Sequence, residues 1–304
     1  MNESAPKQPE KDVSTYESKV KKGYSEFGNE GVGVENWGTM VAPTGERFNG
    51  YTDKRLINYS FTEPILRFVE GKEAPIKIAD LGGDDGFLLN EVLSELRKKN
   101  PNIDAIGLVV DVDSTGKARQ KFAEKQEEGS RQNIDYIVAD ITKLPFDDET
   151  LDVVISRMTM QYLDKEQQER FLKEVARALK KEGLCLVQTI TDEGHNKEFN
   201  EVWAEITELI SKTSDFKRRF PWLGEFTKRT AFREEYGLAP IFGSKQIAFP
   251  FSVPAFAERF RINTEELTAL YKAQAKKFPD LFEVVDGELC LKSRLLNLRF
   301  EKVE

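Results

Sequence analysis

Carboxylates and glycines are packed together between residues 80 and 86. There Asp80, Gly82, Gly83, Asp84, Asp85 and Gly86 follow the apolar run 76–79. An apolar strand, a glycine-rich turn and the amphipathic stretch 87–99 form the arrangement by which an α/β domain brings its backbone against a nucleotide-like ligand. Gly82, Gly83 and Gly86 can take φ > 0 and clear side chains from the ligand's path. The turn is not the G-x-G-x-x-G of a dinucleotide site, and Asp84 and Asp85 add negative charge. Two carboxylates within about 5 Å of a pyrophosphate cost on the order of 1 kcal/mol or more per pair at a partly solvated site. A cationic ligand suffers no such repulsion. The plain alternative is an Asp-rich βα turn with no ligand.

Two further acids end apolar runs. Asp111, followed by Val112 and Asp113, closes the run 105–110, where a carboxylate is placed to accept both hydroxyls of a ribose. Asp113 with Ser114 alternatively caps the next helix. Asp140 follows Val138-Ala139, and a carboxylate there can accept from an exocyclic amine while the Ile141 N–H addresses a ring nitrogen. As a turn residue, Asp140 needs no ligand at all.

These acids need strands to carry them and helices to space them. Periodicity predicts strands at 76–80, 105–112, 134–139, 151–156 and 184–190, with helices at 87–99, 114–128 and 165–180 between them. Apolar strands alternating with helices imply a parallel sheet covered on both faces. A helix over 53–70 is broken or kinked at Pro64. A cap is expected at Asn263 or Thr264 for a helix over 264–277. Asp286-Gly287 is the strongest hairpin signal. Residues 1–15 read as a disordered tail, 16–72 as an N-terminal flap and helix, and 73–304 as the main domain with a helical cap at about 196–235.

With 304 residues the chain can bury a substantial core, and 39% hydrophobic against 32% charged residues is a globular composition. A net charge of −8 disfavours non-specific nucleic-acid binding. The two cysteines, Cys185 and Cys290, sit in apolar runs and read as free and buried, with no zinc spacing. Neither a membrane-length apolar run nor a signal-peptide core is evident, so a cytoplasmic protein is the default.

The segments 80–86, 110–113, 139–146, 151–163 and 177–187 follow one another as in class I S-adenosylmethionine-dependent methyltransferases, and the chain resembles the small-molecule branch of that superfamily over about 76–190. The resemblance implies a Rossmann-like seven-stranded sheet with an antiparallel C-terminal hairpin, turning at Asp286-Gly287, and a helical cap insertion. It implies S-adenosyl-L-methionine as cofactor. Gly82 and Gly86 would lie against its methionine part, Asp111 would hold the ribose, and Asp140 with Ile141 the adenine; Asp80, Gly83, Asp84, Val112 and Arg157 would also line the cofactor. Residues 156–160 would line the sulfonium and the acceptor. The family's middle glycine is Asp84 here, whose side chain must turn away or contact the cofactor's ammonium.

Methyl transfer needs alignment, and a base where the nucleophile must lose a proton. The single histidine, His195, follows the fifth strand and is the candidate base. Tyr162 and Arg157 share the rim after strand four, where Arg157 can pair a carboxylate of substrate or cofactor. Asp192 and Glu193 are weaker candidates. No metal site is expected. Strand four lacks the Asn/Asp-Pro-Pro-Tyr of nucleic-acid amine methylation, which argues against DNA. Aromatic residues in the cap suit a small organic acceptor at O, N or C. The competing readings are a protein or RNA methyltransferase and a non-catalytic cofactor-binding scaffold. Oligomeric state is not legible.

Overall fold

The protein is described from a computed structural model over residues 39–50, 52–72, 75–113, 116–127, 133–190, 197–213, 236–241, 245–260 and 262–303. Five parallel strands form its centre: β3 (Ile76–Leu81), β4 (Ala105–Asp111), β5 (Ile134–Val138), β6 (Leu151–Arg157) and β7 (Leu179–Ile190). Their spatial order is β5-β4-β3-β6-β7, all parallel. The order reverses direction between β3 and β6, which opens a crevice at the carboxyl ends of those two strands. Beyond β7 the sheet continues through antiparallel β13 (Arg294–Lys302) and then β9 (Lys245–Ala248). Those seven strands are the Rossmann-like sheet expected. A short strand β8 (Leu238–Pro240) also pairs with β13.

Helices cover both faces because each strand is apolar on both. On one side α3 (Phe87–Lys99) buries Leu88, Leu89, Val92, Leu93 and Leu96 against Ile78, Val109 and Ile155. On the other, α5 (Lys165–Ala178) buries Phe171, Leu172 and Val175 against Val154, Cys185 and Val187. The start of α5 is fixed by a capping box: Gln167 N donates to Asp164 Oδ1 at 2.8 Å, and Asp164 N donates to Gln167 Oε1 at 2.8 Å. Between them α4 (Lys117–Glu127) follows β4. Both cysteines are free and buried.

The hairpin at Asp286-Gly287 does form, but not in the main sheet. It joins β11 (Phe282–Val285) to β12 (Glu288–Leu291), which pair with β10 (Phe251–Ser252) in a separate three-stranded sheet. This small sheet lies, with α7 (Val253–Phe260) and α8 (Thr264–Lys277), in the chain between β9 and β13. The antiparallel partner of β7 is therefore β13, reached after an insertion. The cap of α8 is as expected, with Asn263 Oδ1 accepting from Glu265 N at 2.8 Å and Glu266 N at 3.1 Å.

Two other boundaries refine the sequence reading. The helix ahead of β3 is interrupted just before Pro64: α1 (Lys54–Ile57) passes through a π-helical turn at Asn58–Thr62 into α2 (Glu63–Val69), where Pro64 sits in the first turn. Proline lacks the amide that a continuous α-helix would use there, and the wider turn removes the need for it. Strand β7 starts at Leu179, directly after α5, with a register shift against β6 and Glu182 at φ 59. That bulge lies between the expected helix 165–180 and the expected strand 184–190.

Residues 1–38, which include the expected tail and part of the flap, lie outside the described residues. Within the rest of the expected flap, β1 (Thr39–Val41) and β2 (Arg47–Asn49) form an antiparallel pair added to the sheet edge through β9. Part of the expected cap is α6 (Lys197–Thr213); residues 214–235 lie outside the described set. Its Phe199 and Trp203 stack at 6.1 Å, and Trp203 meets Phe256 edge-on at 5.8 Å. Each such pair adds about 0.5–1.5 kcal/mol beyond burial.

Candidate functional site

The crevice is built from the turn after β3 and the residues following β4, β5 and β6. Gly82 leaves β3 at φ +76 and donates its N–H to Val110 O at 2.8 Å. A Cβ on it would overlap the side chain of Thr159, which follows β6. Gly83 does not use a left-handed backbone. It is glycine for space, since a Cβ there would stand 2.9 Å from the Asp80 carboxylate. Gly86 is left-handed at φ 75 and caps α3, and its missing side chain faces Val109 and Phe122 in the core. Only part of the glycine pattern thus opens toward a ligand.

Asp111 ties the turn to the second strand. Its Oδ2 accepts from Asp84 N at 3.1 Å and its Oδ1 from Asp113 N at 2.8 Å. Each carboxylate oxygen keeps a further lone pair, which suits a vicinal diol. Burial pushes the Asp111 carboxyl up, and the amides of Asp113, Asp84 and Val112 oppose that rise. Asp113 also accepts from Ala118 N at 3.1 Å and so fixes the start of α4, while Asp111 faces the turn. One strand along, Ala139 N donates to Asp111 O at 3.0 Å. Asp140 Oδ1 accepts from Thr142 N at 2.7 Å and Thr142 Oγ1 at 2.8 Å, which makes it a turn residue at the same rim, with Ile141 buried beside it.

Asp80 is the most unusual group. It is 1% exposed, and neither carboxylate oxygen has a hydrogen-bond partner among the described residues. Burial raises its pKa to about 7; the charge of Arg157 opposes this, while Asp111, Asp84 and Asp85 add to it. Asp84 sits at φ 47 on the exposed rim of the turn. Desolvation by the surrounding protein, then the charges of Asp85 and Asp111, push its carboxyl up to about 6.

After β6 the chain carries Arg157, Met158 at φ 53 and Thr159, and then a short 3-10 turn, Met160–Tyr162. Met158 N donates to Gln188 O at 2.8 Å, which holds this unusual backbone against β7. Met158 and Tyr162 pack on the aromatic cluster that includes Phe199, Trp203 and Phe256. Among the candidates, Asp80, Gly82, Gly83, Asp84, Asp111 and Arg157 gather at one crevice. Tyr162 stands at its apolar end, and His195, Asp192 and Glu193 lie outside the described residues. Thr159 and Ser156 fall in the stretch 156–160 expected to line the sulfonium, but their individual contacts were not anticipated. The Ser156 hydroxyl donates to Leu81 O at 2.8 Å, and only the fold reveals that Thr159 fills the space beside Gly82.

Residues 90–187 match the family of methyltransferase domains. That match is to a methyltransferase domain and spans about a third of the chain. S-adenosylmethionine is the cofactor of such a domain, and the chain is an enzyme of that kind. Among solved structures, a Bacillus halodurans protein described as a methyltransferase is similar at 18% identity and a TM-score of 0.59, covering 79% of this chain and 98% of its own. The YcgJ protein of Bacillus subtilis is similar at 16% identity and a TM-score of 0.55, covering 80% and 98%. At such identities these likenesses speak for the fold. No curated protein matches the chain in sequence.

The methyltransferase crevice suits that cofactor chemically. The orphaned carboxylate of Asp80 and the carboxylate of Asp84 are chemically suited to cationic groups, and the carboxylate of Asp111 to a diol. A pyrophosphate would meet four carboxylates here instead.

Proposed function

We propose that this methyltransferase acts on a small organic molecule with an apolar body. The observation that carries this reading is the aromatic cluster. It runs from α6 and α7 to Met158 and Tyr162, the two residues that follow the crevice side of β6. Pockets for small ligands are mostly apolar with a few polar groups that set orientation. The chain's net charge of −8 weighs against an RNA acceptor.

When bound, S-adenosylmethionine supplies an electrophilic methyl on a sulfonium, open to in-line displacement. The chain's own residues position and screen. Asp111 accepts from the ribose hydroxyls and at the same time anchors the turn through Asp84 N and Asp113 N. Asp140 and Ile141 address the adenine edge. Asp80 faces the ammonium through the gap left by Gly83, and Arg157 balances its charge and meets the carboxylate. Thr159 and Met158 set the wall against which the acceptor's nucleophile is aligned, and alignment is where most of the rate arises in a displacement of this type. His195 is the proposed base, with Tyr162 as a hydrogen-bonding group at the apolar end.

The test is methylation of fractionated metabolite extracts, bulk protein and bulk RNA with radiolabelled cofactor. Label entering the small-molecule fraction supports the reading. Label confined to RNA or protein refutes it.

A further inference from the structure

Asp84 holds its place against three penalties. Its backbone is left-handed at φ 47, a region that glycine enters freely and other residues enter at a cost. Asp85 and Asp111 repel its carboxylate, and the surrounding protein strips part of its water. Beneath the same turn lies Asp80, 1% exposed, with both oxygens unpartnered among the described residues. A Cβ on Gly83 would stand 2.9 Å from its Oδ2, so this buried carboxylate is aimed at the turn itself. Countercharge is sparse: Arg157 acts on Asp80, and Lys121 on Asp84. Among the described residues no three side chains converge to hold a metal ion, so the surplus suits an organic cation with spread charge.

Resting on the cofactor reading above, the geometry points to Asp84 as a specificity residue that favours the cationic cofactor over its neutral demethylated product. S-adenosylmethionine carries a sulfonium, an ammonium and one carboxylate, a net charge of +1. Loss of the methyl removes the sulfonium charge and leaves S-adenosylhomocysteine neutral. A carboxylate on the turn attracts the first and is indifferent to the net charge of the second. A unit charge acting over about 5–10 Å at an effective dielectric of about 40 corresponds to roughly a four- to twentyfold preference. Glycine at this position would be better tolerated by the backbone but would give no such discrimination. The preference helps the product leave after each turnover.

Charge at Asp84 depends on its neighbours. Asp85 on the turn, Asp111 and Asp113 after β4, Tyr136 on β5 and Asp80 on β3 all interact with this site, with Lys121 of α4 and Arg157 of β6 opposing the acids. With its carboxyl raised to about 6, Asp84 is largely ionised at pH 7.5 and largely protonated at pH 5. Selection therefore strengthens as pH rises across that range.

Isothermal titration of S-adenosylmethionine and S-adenosylhomocysteine into full-length wild type, Asp84→Asn and Asp84→Gly tests this. Asparagine and glycine both accept a left-handed backbone, so both variants keep the fold. In Asp84→Asn the Kd for S-adenosylmethionine is expected to rise about tenfold, with that for S-adenosylhomocysteine changed less than twofold. Wild type at pH 5 should show the same loss of preference. Equal changes for both ligands, or tighter binding of both by Asp84→Gly, overturn the proposal and leave the cofactor reading intact. If wild type binds neither ligand, the cofactor reading falls and the proposal falls with it.

Discussion

Replacing Asp80 with Asn should stabilise the cofactor-free protein at neutral pH and abolish that gain in acid. Asp80 is 1% exposed, and burial raises its pKa from an ordinary 3.8 to about 7. Between those two values the folded protein retains a proton that the unfolded chain has released. The unfolded state then binds fewer protons, so folding stability falls as pH rises through the window. Each pH step costs about 1.4 kcal/mol, and about three steps give on the order of 4 kcal/mol at pH 8. Asparagine has the same shape and no charge, so the variant escapes that loss. At pH 4 the wild-type carboxyl is protonated in the fold, and the two proteins should agree within about 1 kcal/mol, the scale of one ordinary hydrogen bond. Urea denaturation of both proteins at pH 4, 6 and 8 reads the difference directly. A variant equal to or weaker than wild type at pH 8, or a gap that does not grow with pH, refutes the reasoning. The same substitution should weaken S-adenosylmethionine binding, because the uncompensated charge that destabilises the empty protein is the one proposed to face the ammonium.

Asp111→Ala removes the acceptor for two backbone amides as well as for the ribose, and titration should show S-adenosylmethionine affinity reduced at least tenfold, given about 1.5–3 kcal/mol per hydrogen bond to a charged group. Gly82→Ala forces a left-handed alanine into the Thr159 side chain; the denaturation midpoint should fall by the equivalent of about 2 kcal/mol or more, and Thr159→Ala in the same chain should restore part of it. Arg177→Lys breaks a fork that donates to Leu144 O, Phe146 O, Glu174 and Asp148; a loss of about 1–3 kcal/mol in urea denaturation is expected, because an ammonium cannot span those acceptors. His195→Ala should lower kcat about a hundredfold or more with little change in cofactor Kd if the histidine is the base; an unchanged pH–rate profile would exclude that role.

The central sheet was legible because its signals are local. Strands β3, β4, β5 and β6 fall within a residue or two of their expected ends, and α3 runs over the expected residues. Where sequence reading went astray, local signals were sound and their tertiary use was not. Asp286-Gly287 turns a hairpin as its chemistry requires, yet nothing in a turn tells which sheet the strands will join. Pro64 marks a break in α-helical hydrogen bonding, and the chain meets it with one widened turn. Packing of Tyr59 and Phe61 on different clusters shows what holds that wider turn in place.

The site divides along the same line. Acids at strand ends announce themselves by position, since the end of a parallel strand is where ligands are met. Why each glycine is a glycine was not legible, because the answer lies in residues far along the chain. Gly82 yields to Thr159, Gly83 to Asp80, and Gly86 to Val109 and Phe122. Three glycines in one turn thus serve three different neighbours, and only the first two concern the crevice. Asp84 is the converse case. Sequence marked it as a departure from the family's middle glycine, with a side chain that must turn away or contact the cofactor's ammonium. In the fold its backbone takes the left-handed turn, its N–H holds Asp111, and its carboxylate joins Asp80 in a field suited to one charge type. In the proposal above, residue type at that position sets which charge state of the ligand is retained, and this is a property that spacing alone does not encode.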